Sequence, residues 1–159
     1  MKPTITYHIA LGSNKGDKFR NLQEALNAIH KIIGQIKHIS RVYKSPAFGF
    51  EGEDFLNAAL VAESTLTPDR VLEELLAIEK NLGRERLTKG VYEARPIDLD
   101  IIFVENQIIA SEHLTIPHPE IGKRRFVLQP LNDLDPKMTH PGNGKEVSDL
   151  ATIEADKYT

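Results

Sequence analysis

The sequence predicts an α+β fold, a ferredoxin-like β-α-β-β-α-β sandwich with extra short elements at the C-terminal end. Three observations lead there. Four stretches read as strands, two stretches between them carry apolar residues at helical spacing, and Gly, Pro, Asn and Asp clusters punctuate the joins. No internal repeat, low-complexity tract or linker interrupts the chain, so residues 1–159 are expected to form one domain.

Ile5 to Leu11 reads as the first strand, and Gly12-Ser13-Asn14-Lys15-Gly16-Asp17 as a turn. Phe19, Leu22, Leu26, Ile29 and Ile33 then mark an amphipathic helix over 18–33, with Gly34 as its stop signal. Ile36 to Lys44 is the second strand, favoured by Ile39, Val42 and Tyr43. Residues 45–54 hold two glycines and a proline without periodicity, and read as a loop. Phe55 to Ser64 is the third strand. Thr67 caps a helix over 68–82 that has Pro68 at its first position, Val71, Leu75, Ile78 and Leu82 as its buried stripe, and Gly83 after it. Residues 84–94 form a second long, charged loop. After the fourth strand, Glu105-Asn106 reads as a hairpin turn into Gln107–Ala110. Five prolines keep the later elements short, and a helix over 121–131 is expected to be interrupted before Pro130.

Composition bounds the function. Forty per cent hydrophobic and 27% charged residues suit a soluble globular chain, and the absence of cysteine excludes disulfides and thiolate chemistry. The N-terminus lacks the apolar stretch of a signal peptide and no segment approaches a membrane span, so a cytoplasmic location without membrane contact is expected. A net charge of −3 argues against nucleic acid as a partner. An anionic ligand would have to be met by a local cluster of arginines.

The fourth strand, Arg95-Pro-Ile-Asp98-Leu-Asp100-Ile-Ile-Phe-Val104, carries the chemistry. Ile97, Leu99, Ile101 and Phe103 alternate with Pro96, Asp98, Asp100 and Ile102. Asp98 and Asp100 therefore project from one face, with backbone positions roughly 7 Å apart. Their repulsion, which grows as water is excluded, becomes an asset when they share a divalent cation; magnesium takes one or two carboxylates and completes its shell with water and phosphate. An Asp-x-Asp pair alone is most often a solvated strand face. This one sits in an apolar, β-branched run where acids are depleted, with Arg84, Arg86 and Arg95 close in sequence.

Several segments now stand in a specific order. They are Ala10-Leu-Gly-Ser-Asn14, Tyr43-Lys-Ser-Pro46, Phe55-Leu-Asn-Ala-Ala59, Glu79 with Gly83-Arg84-Glu-Arg86, Arg95-Pro-Ile-Asp-Leu-Asp-Ile101, and Leu114-Thr-Ile-Pro-His118 with Arg124-Arg-Phe126. The set resembles the 6-hydroxymethyl-7,8-dihydropterin pyrophosphokinase family over about residues 5–150. That resemblance implies magnesium-dependent transfer of pyrophosphate from ATP to 6-hydroxymethyl-7,8-dihydropterin, giving AMP and the pterin diphosphate, in folate biosynthesis. By similarity, Asp98 and Asp100 bridge two magnesium ions. Arg84 and Arg95 act on the transferring group. Glu79, Arg86, Ile101, Thr115, His118 and Arg124 bind ATP. Ser45, Ala47, Phe48, Phe55, Asn57 and Phe126 bind the pterin. Phe55 stands where the family often has tyrosine, which keeps the ring and loses the hydroxyl. Val91-Tyr92-Glu93-Ala94 replaces a segment that usually has a basic residue and a glycine, with Lys89 and Tyr92 as the candidates to take over its closing contacts.

Two other readings stay open on residues alone. A nucleotidyltransferase also uses an Asp-x-Asp strand with a Gly-Ser turn, but that turn normally lies a dozen or so residues upstream, whereas Ser13 and Asp98 are separated by nearly the whole core. A non-catalytic ferredoxin-like module is the other; the paired aromatic strands of an RNA reader are missing. The Gly12-Ser13-Asn14 turn is not a P-loop, since Gly-x-x-x-x-Gly-Lys-Ser/Thr is absent, and it reads as structural. A monomer is favoured over an oligomer.

Overall fold

The computed structural model describes residues 3–46, 53–83, 96–119, 121 and 125–150, with the backbone alone at 125. In chain order the elements are β1 (Ile5–Ser13), α1 (Lys18–Ile32), β2 (Gln35–Ile39), β3 (Tyr43–Ser45), β4 (Phe55–Ser64), α2 (Pro68–Asn81), β5 (Asp98–Val104), β6 (Ile109–Ala110), β7 (Thr115–Ile116) and α3 (Arg125–Leu134). The main sheet runs β2-β4-β1-β5, with β3 continuing the β2 border of β4, and every pairing in it is antiparallel. This is the strand order of the expected ferredoxin-like α+β fold.

Both long helices begin where short polar side chains serve their orphan amides. Asp17 accepts from the Arg20 N–H, and Thr67 from the Arg70 N–H with Pro68 following. Their apolar stripes, Leu22, Ala25 and Ile29 on α1 and Val71, Leu75 and Ile78 on α2, pack against one face of the sheet. That face supplies Tyr7, Ile9, Leu11, Leu56, Leu60, Leu99 and Ile101. Each fully buried side chain of this kind stabilises by about 1.5–3 kcal/mol relative to exposure.

The C-terminal elements add a third layer. α3 lies on the other face, where Val127, Leu128 and Leu131 pack with Ala10, Ala59, Ile102 and Phe103. Covered on both sides, β1 is buried along most of its length. The C-terminal end of α3 is moored by an ion pair and by hydrogen bonds. Asp133 accepts from the Arg41 Nε at 3.1 Å and from the Tyr43 hydroxyl at 2.7 Å, and His8 Nε2 lies 3.3 Å from Asp135 Oδ2.

Four local expectations change. The strand expected over 36–44 is two, broken at 40–42, where the Ser40 hydroxyl accepts from the Ala59 N–H. β1 runs on through Gly12 and Ser13, which the sequence alone assigns to a turn. α3 continues through Pro130 instead of stopping before it; Leu128 and Leu131, both fully buried, hold the helix on the sheet at the cost of one backbone bond. Residues 109–110 pair with β7 rather than folding back on β5. Gly34 does follow the helix, directly after the Ile33 cap, and contact also requires it there: a Cβ would strike the Glu63 carbonyl.

The most consequential difference is a bulge. Ile9 pairs with Ile101 but His8 pairs with Phe103, so Ile102 is one residue too many on β5. The strict alternation predicted for this strand fails there. Phe103 turns to the α3 side with Ile102, while Leu99 and Ile101 face the helices.

Candidate active site

The carboxylate face of the sheet is a row of direct cross-strand neighbours. Tyr43 on β3 pairs with Asn57 on β4, Asn57 with Gly12 on β1, and Gly12 with Asp98 on β5. The next row is Ala59, Ala10 and Asp100. Direct antiparallel partners share a face, so Asn57, Gly12, Asp98, Ala10 and Asp100 look the same way. Two inter-strand steps put the Asn57 and Asp98 backbones roughly 10 Å apart.

At one end of the row, Asn57 is buried and its Nδ2 donates to Ser45 Oγ at 2.8 Å, with Tyr43 O at 3.4 Å. Its two amide hydrogens are thereby engaged, leaving Oδ1 as the acceptor turned toward Gly12. A Cβ on Gly12 would lie 3.4 Å from that Oδ1 and 3.5 Å from the Phe55 ring. Gly12 thus keeps the floor between amide and carboxylates free of side chain. Phe55 is half-buried above it, and Phe126, at the start of α3, is half-buried against the second core. Tyr43 is fixed from behind by Asp133. The Arg41 guanidinium holds the Asp133 carboxyl below its ordinary value, and burial pushes the Tyr43 hydroxyl up.

At the other end, Asp98 and Asp100 are each partly exposed. Among the described residues no third His, Cys, Asp or Glu joins them in a metal-holding group. Two carboxylates paired across from Gly12 and Ala10 offer hard oxygen ligands that fit a magnesium ion completing its shell with water and phosphate oxygens. The bulge organises the border of this site. The carbonyl of Ile102 accepts from the His118 N–H at 3.0 Å, which lays the segment after β7 along β5. His118 is half-buried there, and Thr115 is exposed on β7.

Two nucleotide candidates sit differently from the rest. Ile101 is 4% exposed and its side chain lies in the helix-facing core, so only its main chain can reach a ligand on the carboxylate face. Glu79 is 3% exposed at the end of α2, and its Oε2 accepts from the Leu99 N–H at 2.8 Å. Ala47, Phe48, Arg84, Arg86, Arg95 and Arg124 lie outside the described residues, as do Lys89 and 91–94. Sequence reasoning missed Gly12, which it treated as a turn residue; its pairing between the Asn57 and Asp98 positions is a tertiary fact with no local signal.

Residues 8–136 match the family model for 7,8-dihydro-6-hydroxymethylpterin-pyrophosphokinase. The chain belongs to that family. It is therefore a pyrophosphokinase of folate biosynthesis. A 2-amino-4-hydroxy-6-hydroxymethyldihydropteridine pyrophosphokinase of Aquifex aeolicus is 36% identical over 137 residues, covering 86% of this chain and 84% of the relative. One from Haemophilus influenzae is 37% identical over 154 residues, covering 96% and 94%. The wild-type HPPK-DHPS of Plasmodium falciparum, solved with pteroate, shares the fold with a TM-score of 0.78 at 16% identity. That match covers 97% of this chain and 43% of the Plasmodium chain, so this chain spans less than half of that protein.

Proposed function

We propose that this chain, as one domain over 1–159, transfers pyrophosphate from ATP to 6-hydroxymethyl-7,8-dihydropterin with the help of two magnesium ions, releasing AMP. The observation that carries the reading is the in-register row from Asn57 through Gly12 to Asp98. It joins a hydrogen-bonding, aromatic-flanked end to a pair of carboxylates across a floor without side chains.

In this reading the pterin stacks between Phe55 and Phe126. Its donor edge meets Asn57 Oδ1, whose orientation Ser45 and Tyr43 set, and residues 45–48, including Ala47 and Phe48, complete that edge. The hydroxymethyl arm then points along Gly12 toward the carboxylates. Asp98 and Asp100 would hold the metal ions, which would supply charge neutralisation for the phosphates during the displacement. The hydroxymethyl oxygen bonds to the β-phosphorus, the bond from that phosphorus to the α-phosphate bridging oxygen breaks, and the hydroxyl proton is released. Arg84 and Arg95 stabilise the charge on the transferring group. Arg86, Arg124, Thr115, His118 and the main chain of Ile101 bind the nucleotide. Positioning and electrostatics supply most of the acceleration. No helix among the described residues is long and apolar enough to cross a membrane. The chain is read as a cytoplasmic monomer acting on two small molecules.

Incubation with ATP, magnesium and the hydroxymethyl-dihydropterin, followed by nucleotide analysis, tests the reading. Equal amounts of AMP and pterin diphosphate are expected. Release of free pyrophosphate with a nucleotidylated product would replace it with nucleotidyl transfer.

A further inference from the structure

Glu79 is the one carboxylate of α2 drawn into the interior, 3% exposed. A buried carboxylate is costly unless it is met by donors. One donor is the Leu99 amide, at 2.8 Å. Leu99 is the residue between Asp98 and Asp100, and among the described residues β5 is the border strand of the sheet, where no further strand offers that amide an acceptor. α2 supplies one instead.

We infer that Glu79 is a positioning residue that holds the Asp98–Leu99–Asp100 backbone straight, so that both carboxylates project together at the spacing that the metal ions need. The inference rests on the proposed metal role of the aspartates, and it replaces the ATP contact that the resemblance implies for Glu79 with a contact to the Leu99 amide. Without the acceptor, the border end of β5 is free to twist about Leu99, and the two carboxylates stop acting as one ligand pair. The requirement is for an acceptor oxygen on a side chain of this length, which glutamine also provides.

The test uses the full chain, magnesium, and α,β-methylene-ATP as a nucleotide that cannot be cleaved. Glu79→Ala is expected to raise the magnesium concentration needed for half-maximal nucleotide binding about tenfold, with the pterin KM unchanged. Glu79→Gln should stay within about twofold of the parent. Hydrogen exchange, read without any ligand, should show the Leu99 amide deprotected in Glu79→Ala and still protected in Glu79→Gln. A Leu99 amide that exchanges as slowly in Glu79→Ala as in the parent overturns the inference, as does an unchanged magnesium titration. Should Glu79→Ala fail to fold, Glu79→Gln decides alone: loss of Leu99 protection or a tenfold magnesium shift in it overturns the idea. Asp98→Asn separates the two readings. If it abolishes magnesium dependence while Glu79→Ala leaves it intact, only this inference fails; if Asp98→Asn also has no effect, the metal assignment itself fails.

Discussion

On the face that meets α1 and α2, strands β1, β4 and β5 present Tyr7, Ile9, Leu11, Leu56, Leu60, Leu99 and Ile101. On the opposite face the same strands present His8, Gly12, Phe55, Asn57, Asp98 and Asp100. Alternation along each strand sends one set each way, so stability and chemistry are written into neighbouring positions of the same residues. The helix side is hydrocarbon apart from the Glu79 carboxylate on the Leu99 amide and the Tyr7 hydroxyl on the Leu66 carbonyl. The other side is hydrocarbon only under α3, and polar where the row from Asn57 to Asp98 begins. A substitution on either face should therefore report on one property and spare the other.

The largest effect is expected on the polar face. Asp98→Ala or Asp100→Ala should lower turnover at least about a thousandfold and weaken magnesium-dependent ATP binding, with little change in the urea midpoint. Retained activity in either variant would break the division of labour. The converse variant, Leu75→Ala, removes a side chain that is 1% exposed beneath the sheet. It should cost about 2–5 kcal/mol in equilibrium unfolding and leave kcat per folded molecule unchanged.

A smaller, more selective effect is expected at Gly12. Gly12→Ala places its Cβ in ordinary contact with Asn57 and Phe55 and should fold. Gly12→Val adds two methyl groups above the floor. It should raise the pterin KM on the order of tenfold or more while the ATP KM holds. Equal rises in both constants would mean that the row is not where the two substrates part.

The smallest change expected is in pH dependence, and it too separates the faces. Burial holds His8 and His140 below their ordinary pKa of 6.5, despite Asp135 beside His8. Below pH 6.5 the unfolded chain then binds more protons than the folded one. Stability is fully kept above that value and lost as pH falls toward the folded pKa values. The urea midpoint should drop between pH 7.5 and 5.5, and His8→Gln should flatten the slope. A midpoint that rises on acidification would contradict the burial argument.

Much of this was readable in one dimension. Periods of 3.6 and 2 located α1, α2, β1, β4 and β5; Thr67 and Pro68 marked the start of α2 before any packing was known. The Asp98–Asp100 and Phe55–Asn57 pairs were each legible as sharing a face, because period two needs no tertiary information. That both pairs occupy the same face, one strand apart across Gly12, was not legible, since register between β4, β1 and β5 is set by the whole core. The bulge at Ile102 escaped for the same reason: one extra residue alters no local propensity, yet it turns Phe103 over. Pro130 misled because its effect on an isolated helix is weaker than the packing of Leu128 and Leu131.

The bulge also bears on how the molecule behaves in a crowd. At the β5 border the Ile102 carbonyl and the Leu99 amide are both satisfied within the chain. At the β2 border an extra residue, Lys37, breaks the ladder and carries a charge. Neither rim of the sheet offers a stranger a clean set of unpaired groups, so stacking of copies into extended β-assemblies is discouraged at both ends.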